Sequence, residues 1–300
     1  MPLLAVPRFR RQYQRCPALL RPGDYRSVAN SLTDDGAVDG DTIVRRLVAG
    51  TSGPVLVADF QAFSSAPRLS HLLSGRTESR PIYQVDPLDA LSQDRPYISL
   101  ADLAGEAAGS FERSGPAEGP AIVIGYCSAA GLSLRIAALL SRSRQATAVL
   151  LRPSWPDGET IRRQFGTLAG NLGASQLPCP ELDGDADRCV RRMEQLLRGE
   201  LEALVAGQGL DSSADTFSEL LLTYRSWLAF LLACRNDEPG GWGWPAGAAA
   251  VTVLTEAAGG VTVPGLPDGG FEVCPLPAVD EDNPITAEVV ELLVAQITGQ

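Results

Sequence analysis

The sequence predicts an α/β protein with a mostly parallel, doubly wound sheet and a helical segment inserted between two of its strands. Short apolar runs alternate with amphipathic stretches of about 12–18 residues, which is the pattern of consecutive βαβ units. The runs are continuously apolar, as expected of strands that are covered on both faces. Between 159 and 245 the pattern changes to long helical stretches without a convincing strand.

Composition limits the size of the core and the class of partner. The chain has 300 residues, 45% of them apolar, and can bury one large core with an inserted subdomain. Its formal net charge of −11 argues against nucleic acid and against an anionic membrane as partners. Its six cysteines lack CxxC and zinc-like spacings, so we expect no metal site, no cofactor and no disulfide framework. Without a signal-like apolar segment or a spanning apolar run, we expect a cytoplasmic protein.

The elements before the middle of the chain follow from local patterns. An Arg-rich segment, 1–50, is expected to pack on the core and to contain a short helix over 42–48. Residues 54–59 and 81–86 are short apolar runs next to turn residues, and are predicted as strands. Residues 100–113 place apolar side chains at helical spacing with acidic residues early, which predicts a helix.

The second half supplies the remaining elements. Apolar runs predict the strands 121–124, 146–151, 249–255 and 271–275. Helical spacing and capping residues predict the helices 186–206, 217–235 and 286–298. The core is then expected over 51–158 and 246–300, with 159–245 as a helical insertion.

The stretch 120–140 carries the strongest functional pattern. An apolar strand runs into Gly125, then Cys127, then small residues and an amphipathic helix. This is the layout of a nucleophile elbow, a tight strand-to-helix turn that presents one reactive side chain at the carboxyl end of a strand. Cys127 stands where Gly-x-Ser-x-Gly has serine, and Ala129 stands where it has the second glycine. The alternative is that Cys127 is only a small apolar residue in a tight turn.

The order of these elements resembles the thioesterase branch of the α/β-hydrolase superfamily over roughly 50–298. The cysteine elbow is similar to that of a subgroup that includes Dieckmann cyclases of polyketide and nonribosomal peptide pathways. The resemblance implies an α/β-hydrolase fold with a helical lid, and an enzyme of antibiotic-type specialised metabolism. It also implies an acyl thioester substrate on an acyl or peptidyl carrier protein, or a small-molecule substrate. The basic run near the N-terminus could dock an acidic carrier, or be a solvated arm.

The resemblance also implies roles for individual residues. Cys127 would attack the thioester, and the helix after it would place its positive N-terminus beside the sulfur and favour the thiolate. The backbone N–H of Ser128 and a group from Gln61 would bind the oxyanion. Asp157 lies where the triad acid is expected, or is a solvated acid in a turn. The residues expected to line the pocket are Phe60, Tyr126, Trp155, Trp242 and Trp244.

The sequence departs from the family at the catalytic base. The family has a histidine between the last strand and the last helix, where this sequence has an acidic loop with Asp280 and Asp282. A carboxylate of pKa about 4 is a poor base for a thiol of pKa about 8.5, and the acids could instead form a solvated loop at the last helix. The one histidine, His71, could serve only if 64–75 folded over the pocket; otherwise it lies on a helix surface.

These observations favour cyclisation or acyl transfer over hydrolysis by a full triad. In a Dieckmann-type closure the substrate's own acidic carbon supplies the nucleophile. Two alternatives remain at this point: a catalytically degenerate protein that binds an intermediate, and a pocket that catalyses a non-covalent cyclisation or isomerisation.

Overall fold

The computed structural model describes residues 43–60, 68–77, 79–92, 95–114, 118–174, 176–208, 214–237, 250–256, 261–267, 269–277 and 285–299. Within these ranges seven strands form one sheet. They are β1 Val44–Val48, β2 Val55–Ala58, β3 Ile82–Val85, β4 Ala121–Tyr126, β5 Ala146–Leu151, β6 Val251–Thr255 and β7 Glu272–Pro275.

Eight α-helices are described in the same ranges. They are α1 Leu69–Ser74, α2 Pro87–Leu91, α3 Leu100–Arg113, α4 Ala130–Leu140, α5 Gly158–Asn171, α6 Ala186–Gln208, α7 Ala214–Asn236 and α8 Ala287–Thr298. A 3₁₀ turn, Cys127–Ala129, joins β4 to α4. Among these helices, none combines the length and the apolar character needed to cross a membrane.

The strand order confirms the predicted fold class. The strands follow one another across the sheet as β1-β3-β2-β4-β5-β6-β7. Every neighbouring pair is parallel except β1 and β3, which are antiparallel at one edge. A parallel sheet with one antiparallel edge strand, and with an elbow after a central strand, matches the fold expected from the sequence.

Each face of the sheet packs on its own layer of helices. Alternate residues of β2 point to opposite faces: Leu56 and Ala58 join one core, and Val55 and Val57 the other. The first core includes buried residues of α3 to α7, and the second includes those of α1 and α8. The sheet is therefore doubly wound, as predicted.

The helix predicted over 42–48 is wrong where the structure describes it. Val44–Val48 form the edge strand β1, paired with β3, and the side chain of Arg45 donates to Gln84 Oε1 at 2.8 Å. The β-branched valines at both ends of the segment suit a strand, and pairing with β3 provides its backbone hydrogen bonds. Residues 1–42, with most of the Arg-rich segment, lie outside the described residues.

The other predicted elements are confirmed within a few residues at their ends. Helix α3 and strand β5 have the predicted limits, and the long helices of the insertion are α6 and α7. Two helices were not predicted: α2, which is short, and α5, whose sequence is interrupted by Gly166 and Gly170. The short α1 was expected only in the alternative that places His71 on a helix surface. Helices α5, α6 and α7 all lie in the chain between β5 and β6.

Candidate functional site

The turn after β4 has the backbone geometry of a nucleophile elbow. Cys127 has φ +53°, a left-handed conformation that is uncommon for a residue with a Cβ, and the chain then enters the turn that leads into α4. A Cβ on Gly125 would lie 2.5 Å from Ser133 Oγ and 3.0 Å from the Ala129 carbonyl oxygen. Glycine is thus required here because strand β4 and helix α4 approach so closely.

The thiol of Cys127 lies at the carboxyl edge of the sheet and is half-buried. Its Sγ is 3.9 Å from the hydroxyl oxygen of Ser128, which is itself buried. The Cys127 carbonyl accepts a hydrogen bond of 3.1 Å from the Ser154 N–H, which ties the loop after β5 to the turn. Ser128 occupies the first turn of the helical segment, where backbone N–H groups have no partner within the helix and can bind an anion.

The carboxyl end of α7 packs against this turn. The Cys234 thiol donates to the Ser128 carbonyl oxygen at 3.6 Å. Burial, and secondarily Asp237 and Cys127, raise the pKa of Cys234 well above its ordinary value, so this thiol stays neutral. Cys234 was not predicted as part of the site, since no local pattern in the sequence places it beside Cys127.

A shielded ion pair fixes the same end of α7 to the helix that follows the elbow. Arg135 of α4 donates to both carboxylate oxygens of Asp237, with Nε at 2.8 Å from one of them. The two side chains are only 13% and 12% exposed, so solvent screens the pair weakly.

Aromatic side chains lie near the elbow on the α7 side. Ala58 of β2 pairs with Gly125 of β4, so Phe60 and Cys127 each lie two residues beyond this pair on neighbouring strands. The Phe60 ring packs edge-to-face on Trp227 and Phe230 of α7, with centroids at 5.2 Å and 4.5 Å. Phe60 was predicted as a pocket residue, whereas the two aromatic residues of α7 were missed.

A fully buried carboxylate directly follows strand β2. Asp59 accepts a hydrogen bond of 2.8 Å from the Ser70 N–H of α1. Burial raises its pKa to about 6, although the Ser70 hydrogen bond and the charge of Arg68 partly oppose this. Arg68 in turn binds Asp86, which follows β3, at 2.7 Å. These ionisable groups were also missed, since no spacing in the sequence marks them.

A second residue with a left-handed backbone follows β5. Arg152 has φ +47°, and its guanidinium binds Glu256, the residue after β6, at 2.5 Å. Its N–H donates to the Leu254 carbonyl at 2.8 Å. Neither member of this ion pair was singled out from the sequence.

The remaining predicted site residues fall into three groups. Asp157 is the N-cap of α5: its carboxylate accepts from the Thr160 N–H at 2.7 Å, and hydrogen bonding from Thr160 lowers its pKa. Tyr126 packs on the core of the α1 and α8 face, and Trp155 lies beside Gly131 of α4. The positions outside the described residues are Gln61, Trp242, Trp244, Asp280 and Asp282.

The described residues include one histidine, on the exposed surface of α1. Partial burial and the charges of Arg68 and Arg45 lower the pKa of His71. The two cations lie at the β1 and β3 side of the sheet. The exposed position of His71 agrees with the alternative that places it on a helix surface. Within the described ranges, side chains that bind metals do not gather in groups of three or more.

Comparison with known proteins supports the fold. No protein-family model matches the sequence, and no curated protein matches it significantly. Among solved structures, the chain is similar to holo-AB3403, a four-domain nonribosomal peptide synthetase bound to AMP and glycine. The two are 17% identical with a TM-score of 0.54, over 91% of this chain and 21% of the synthetase. The chain thus spans about a fifth of that protein.

Two thioesterase domains are similar at lower scores. A covalent complex of the NocB thioesterase domain with a fluorophosphonate nocardicin G analog has a TM-score of 0.48, at 18% identity over 85% of this chain and 98% of that domain. The Vlm2 thioesterase domain bound with a dodecadepsipeptide has a TM-score of 0.45, at 16% identity over 82% and 94%. At these identities the similarity concerns the fold alone.

Proposed function

We propose that this protein is a thioesterase-like enzyme that acts on an acyl thioester delivered by a carrier protein, with Cys127 as the nucleophile. The observation that carries the proposal is the elbow: a half-buried thiol on a left-handed residue, at the carboxyl edge of the sheet and the start of a helix. Backbone strain of this kind persists where the surrounding structure holds it, and it concentrates at functional sites.

The elbow can support an exchange of one thioester for another. The Cys127 thiolate would attack the thioester carbonyl carbon and form a tetrahedral oxyanion. The oxyanion would re-form the carbonyl as the carrier C–S bond breaks, and the departing thiolate would take a proton from solvent. We assign the Ser128 N–H, with a group from Gln61, to the developing oxyanion. Since one thioester replaces another, the step is nearly neutral in free energy.

Cyclisation or acyl transfer suits this site better than hydrolysis. Hydrolysis needs a base to activate water, and the family position of the base is filled by the acidic loop of Asp280 and Asp282. In ring closure an acidic carbon of the substrate attacks the acyl-enzyme. Because this carbon loses its proton more easily than water does, the step needs a weaker protein base. We give Asp157 no catalytic role, because its carboxylate caps α5.

The aromatic residues beside the elbow would hold the acyl chain. Phe60 and Trp155 are half-buried at this end of the molecule, and Trp227 adds a further half-buried ring. We extend the lining to the two further tryptophans predicted from the sequence, but not to Tyr126, which packs on the α1 and α8 face of the sheet. Apolar walls with few polar groups are typical of small-molecule sites.

One observation favours a second candidate, a protein that binds an intermediate without turning it over. The end of α7 is fixed against the elbow by Cys234 on the Ser128 carbonyl and by the Arg135–Asp237 pair. A helix so anchored could retain a bound molecule, or hold one in shape for a non-covalent ring closure.

Intact-mass measurement with an acyl N-acetylcysteamine thioester tests the proposal. We expect one acyl adduct per chain in the wild type and none in Cys127→Ala. Cys274→Ala is the matched control, since it removes another partly exposed thiol on the edge strand β7, and should leave the adduct unchanged. An adduct that persists in Cys127→Ala, or a wild type that binds the thioester without acylation, would overturn the proposal; the latter result would support the second candidate.

A further inference from the structure

Two neighbouring strands end in the same uncommon backbone conformation. The last register pair of β4 and β5 is Tyr126 with Leu151, and the next residues on the two strands are Cys127 and Arg152. Both have left-handed φ angles, +53° and +47°. Adjacent strands lie about 4.8 Å apart, so the candidate nucleophile and the arginine leave the sheet side by side.

The guanidinium of Arg152 is held and shielded. It binds the Glu256 carboxylate at 2.5 Å, and its side chain is 17% exposed. The Arg152 N–H continues the pairing with β6 by donating to Leu254. A cation that is partly removed from water interacts more strongly with a neighbouring charge than one on the open surface.

The loop that carries this arginine is also tied to the elbow. Ser154 donates its N–H to the Cys127 carbonyl at 3.1 Å, so the two strand ends are connected by a direct hydrogen bond. The backbones of the two residues that follow β4 and β5 are thereby held together by this hydrogen bond as well as by the register of the sheet.

We propose that Arg152, oriented by Glu256, is the cationic group that favours the thiolate form of Cys127 in place of the absent histidine. The inference rests on the proposed function insofar as Cys127 is its nucleophile. It assigns Arg152 to the charge stabilisation of the sulfur, and makes Glu256 a positioning residue that acts through Arg152.

Other ionisable groups near the elbow are less suited to this role, among them the buried carboxylate of Asp59 after the neighbouring strand β2. Cys234 of α7 is a neutral thiol. Asp237 is an anion bound by Arg135, and Asp157 is an anion engaged with the first turn of α5. An anion near the sulfur disfavours the thiolate. The carboxylate of Glu256 opposes the effect of Arg152, but Glu256 follows β6, which lies one strand further from β4 than β5 does.

The guanidinium does not act as a base, since arginine keeps its protons in proteins. The Cys127 S–H bond breaks with transfer of the proton to solvent, and the electron pair left on sulfur forms the new C–S bond in the acylation step. The cation raises the fraction of thiolate available before substrate binds. A positive charge next to an acid typically favours its ionised form by about 1–3 pH units.

The pH dependence of alkylation measures this effect without any acyl substrate. The intact protein is treated with iodoacetamide between pH 5 and 10, and modification of Cys127 is followed by peptide mapping. We expect a wild-type midpoint below the about 8.5 of an ordinary thiol. Arg152→Asn removes the charge and suits a left-handed backbone; we expect its midpoint to rise by about one pH unit.

Two further variants separate charge from folding. Arg152→Lys keeps a cation and should restore a midpoint close to that of the wild type. Arg68→Gln removes an arginine from another ion pair at the same end of the sheet, beside β3, and should leave the midpoint unchanged. Equal midpoints in the wild type and Arg152→Asn, or an equal rise in Arg152→Lys, would overturn the inference.

The result of the alkylation experiment can be distinguished from the result of the acylation experiment. Acylation of Cys127 with no change of midpoint in Arg152→Asn would leave the proposed function standing and refute the role of Arg152. A shifted midpoint in a protein that takes no acyl group would refute the proposed function and leave the pairing of arginine and cysteine standing.

Discussion

Burial of the ionisable residue Asp59 lowers the stability of this protein at neutral pH. It is fully buried at the end of β2, and its pKa of about 6 lies above the ordinary value of 3.8 because burial disfavours the charged form. The folded state therefore holds a proton that the unfolded state releases between those two pH values. Stability from this group is complete below pH 3.8 and is lost as the pH rises through about 6.

Asp59→Asn should remove the loss of stability that occurs as the pH rises. The amide oxygen can still accept from Ser70, so we expect the variant to be more stable than the wild type by about 1–3 kcal/mol at pH 8. The difference should shrink towards zero at pH 4. Urea unfolding at the two pH values measures it. Asp187→Asn, in an exposed pair on α6, should change stability by less than about 0.5 kcal/mol at either pH; a gain for Asp59→Asn that is equal at both pH values would contradict the explanation.

Single residues of the site were predictable only where their neighbours in the sequence are their neighbours in space. Cys127 follows Gly125 by two positions, and this spacing within one turn identified it. Arg152 and Cys234 meet the elbow through the register of β5 and the packing of α7. Such contacts depend on the tertiary structure and leave no spacing to read. Asp157 had the expected position in the chain but serves as a helix cap.

The contact between β4 and α4 is the tightest feature among the elements of the site. Gly125→Ala would place a methyl group 2.5 Å from Ser133 Oγ, on a short side chain that cannot move far. Overpacking of this kind typically costs about 1–3 kcal/mol, so we expect a lower free energy of unfolding and a displaced Cys127.

Gly166→Ala provides the matched comparison. Gly166 lies within α5, and a Cβ there would meet nothing within 4 Å. Alanine favours a helix over glycine by about 0.5–1 kcal/mol, so this variant should be as stable as the wild type or more so in urea unfolding. Equal losses in the two variants would show that the close approach of β4 and α4 is not the cause.

Elements were predicted well where one physical signal dominated. The apolar runs of β2 to β5 and the amphipathic α3 gave the correct type and nearly the correct limits. Residues Val44–Val48 were wrongly assigned to a helix. A five-residue segment with two arginines shows too little periodicity to distinguish a helix from a strand. Its strand conformation comes from pairing with β3, which the local sequence does not encode.

At the scale of the whole molecule, the Arg135–Asp237 pair joins the helices between β5 and β6 to the rest of the fold. Arg135→Gln should lower the free energy of unfolding by about 3 kcal/mol, because it leaves a shielded carboxylate without its cation. The double variant Arg135→Gln, Asp237→Asn should lose less than the single one, since no charge remains buried. Urea unfolding measures stability, and hydrogen exchange of α7 shows where the structure loosens.

An exposed pair provides the control for this comparison. Arg191→Gln removes the partner of Asp187 on α6, where the two side chains are 60% and 48% exposed. Exposed pairs contribute about 0–1 kcal/mol, so little change is expected. A double variant that is less stable than Arg135→Gln would contradict the assignment of the loss to an unpaired charge.

The whole fold was more predictable than the site it carries. Alternation of strands and helices is repeated along the chain, so many weak signals agree on one architecture. The site depends on a few contacts between segments that are far apart in sequence. Cys127 follows β4, Cys234 lies on α7 and Glu256 follows β6, and only the assembled fold brings them to one edge of the sheet.

The pairing of β5 with β6 has a consequence for synthesis on the ribosome. The nascent chain completes β1 to β5 first, and the partner strand β6 follows only after the helices α5 to α7, about a hundred residues later. At translation rates of about 5–20 residues per second, the apolar edge of β5 stays without its partner for on the order of 5–20 s. An unpaired apolar strand is a template for aggregation, so the nascent protein should bind a chaperone during this interval more than at any other stage.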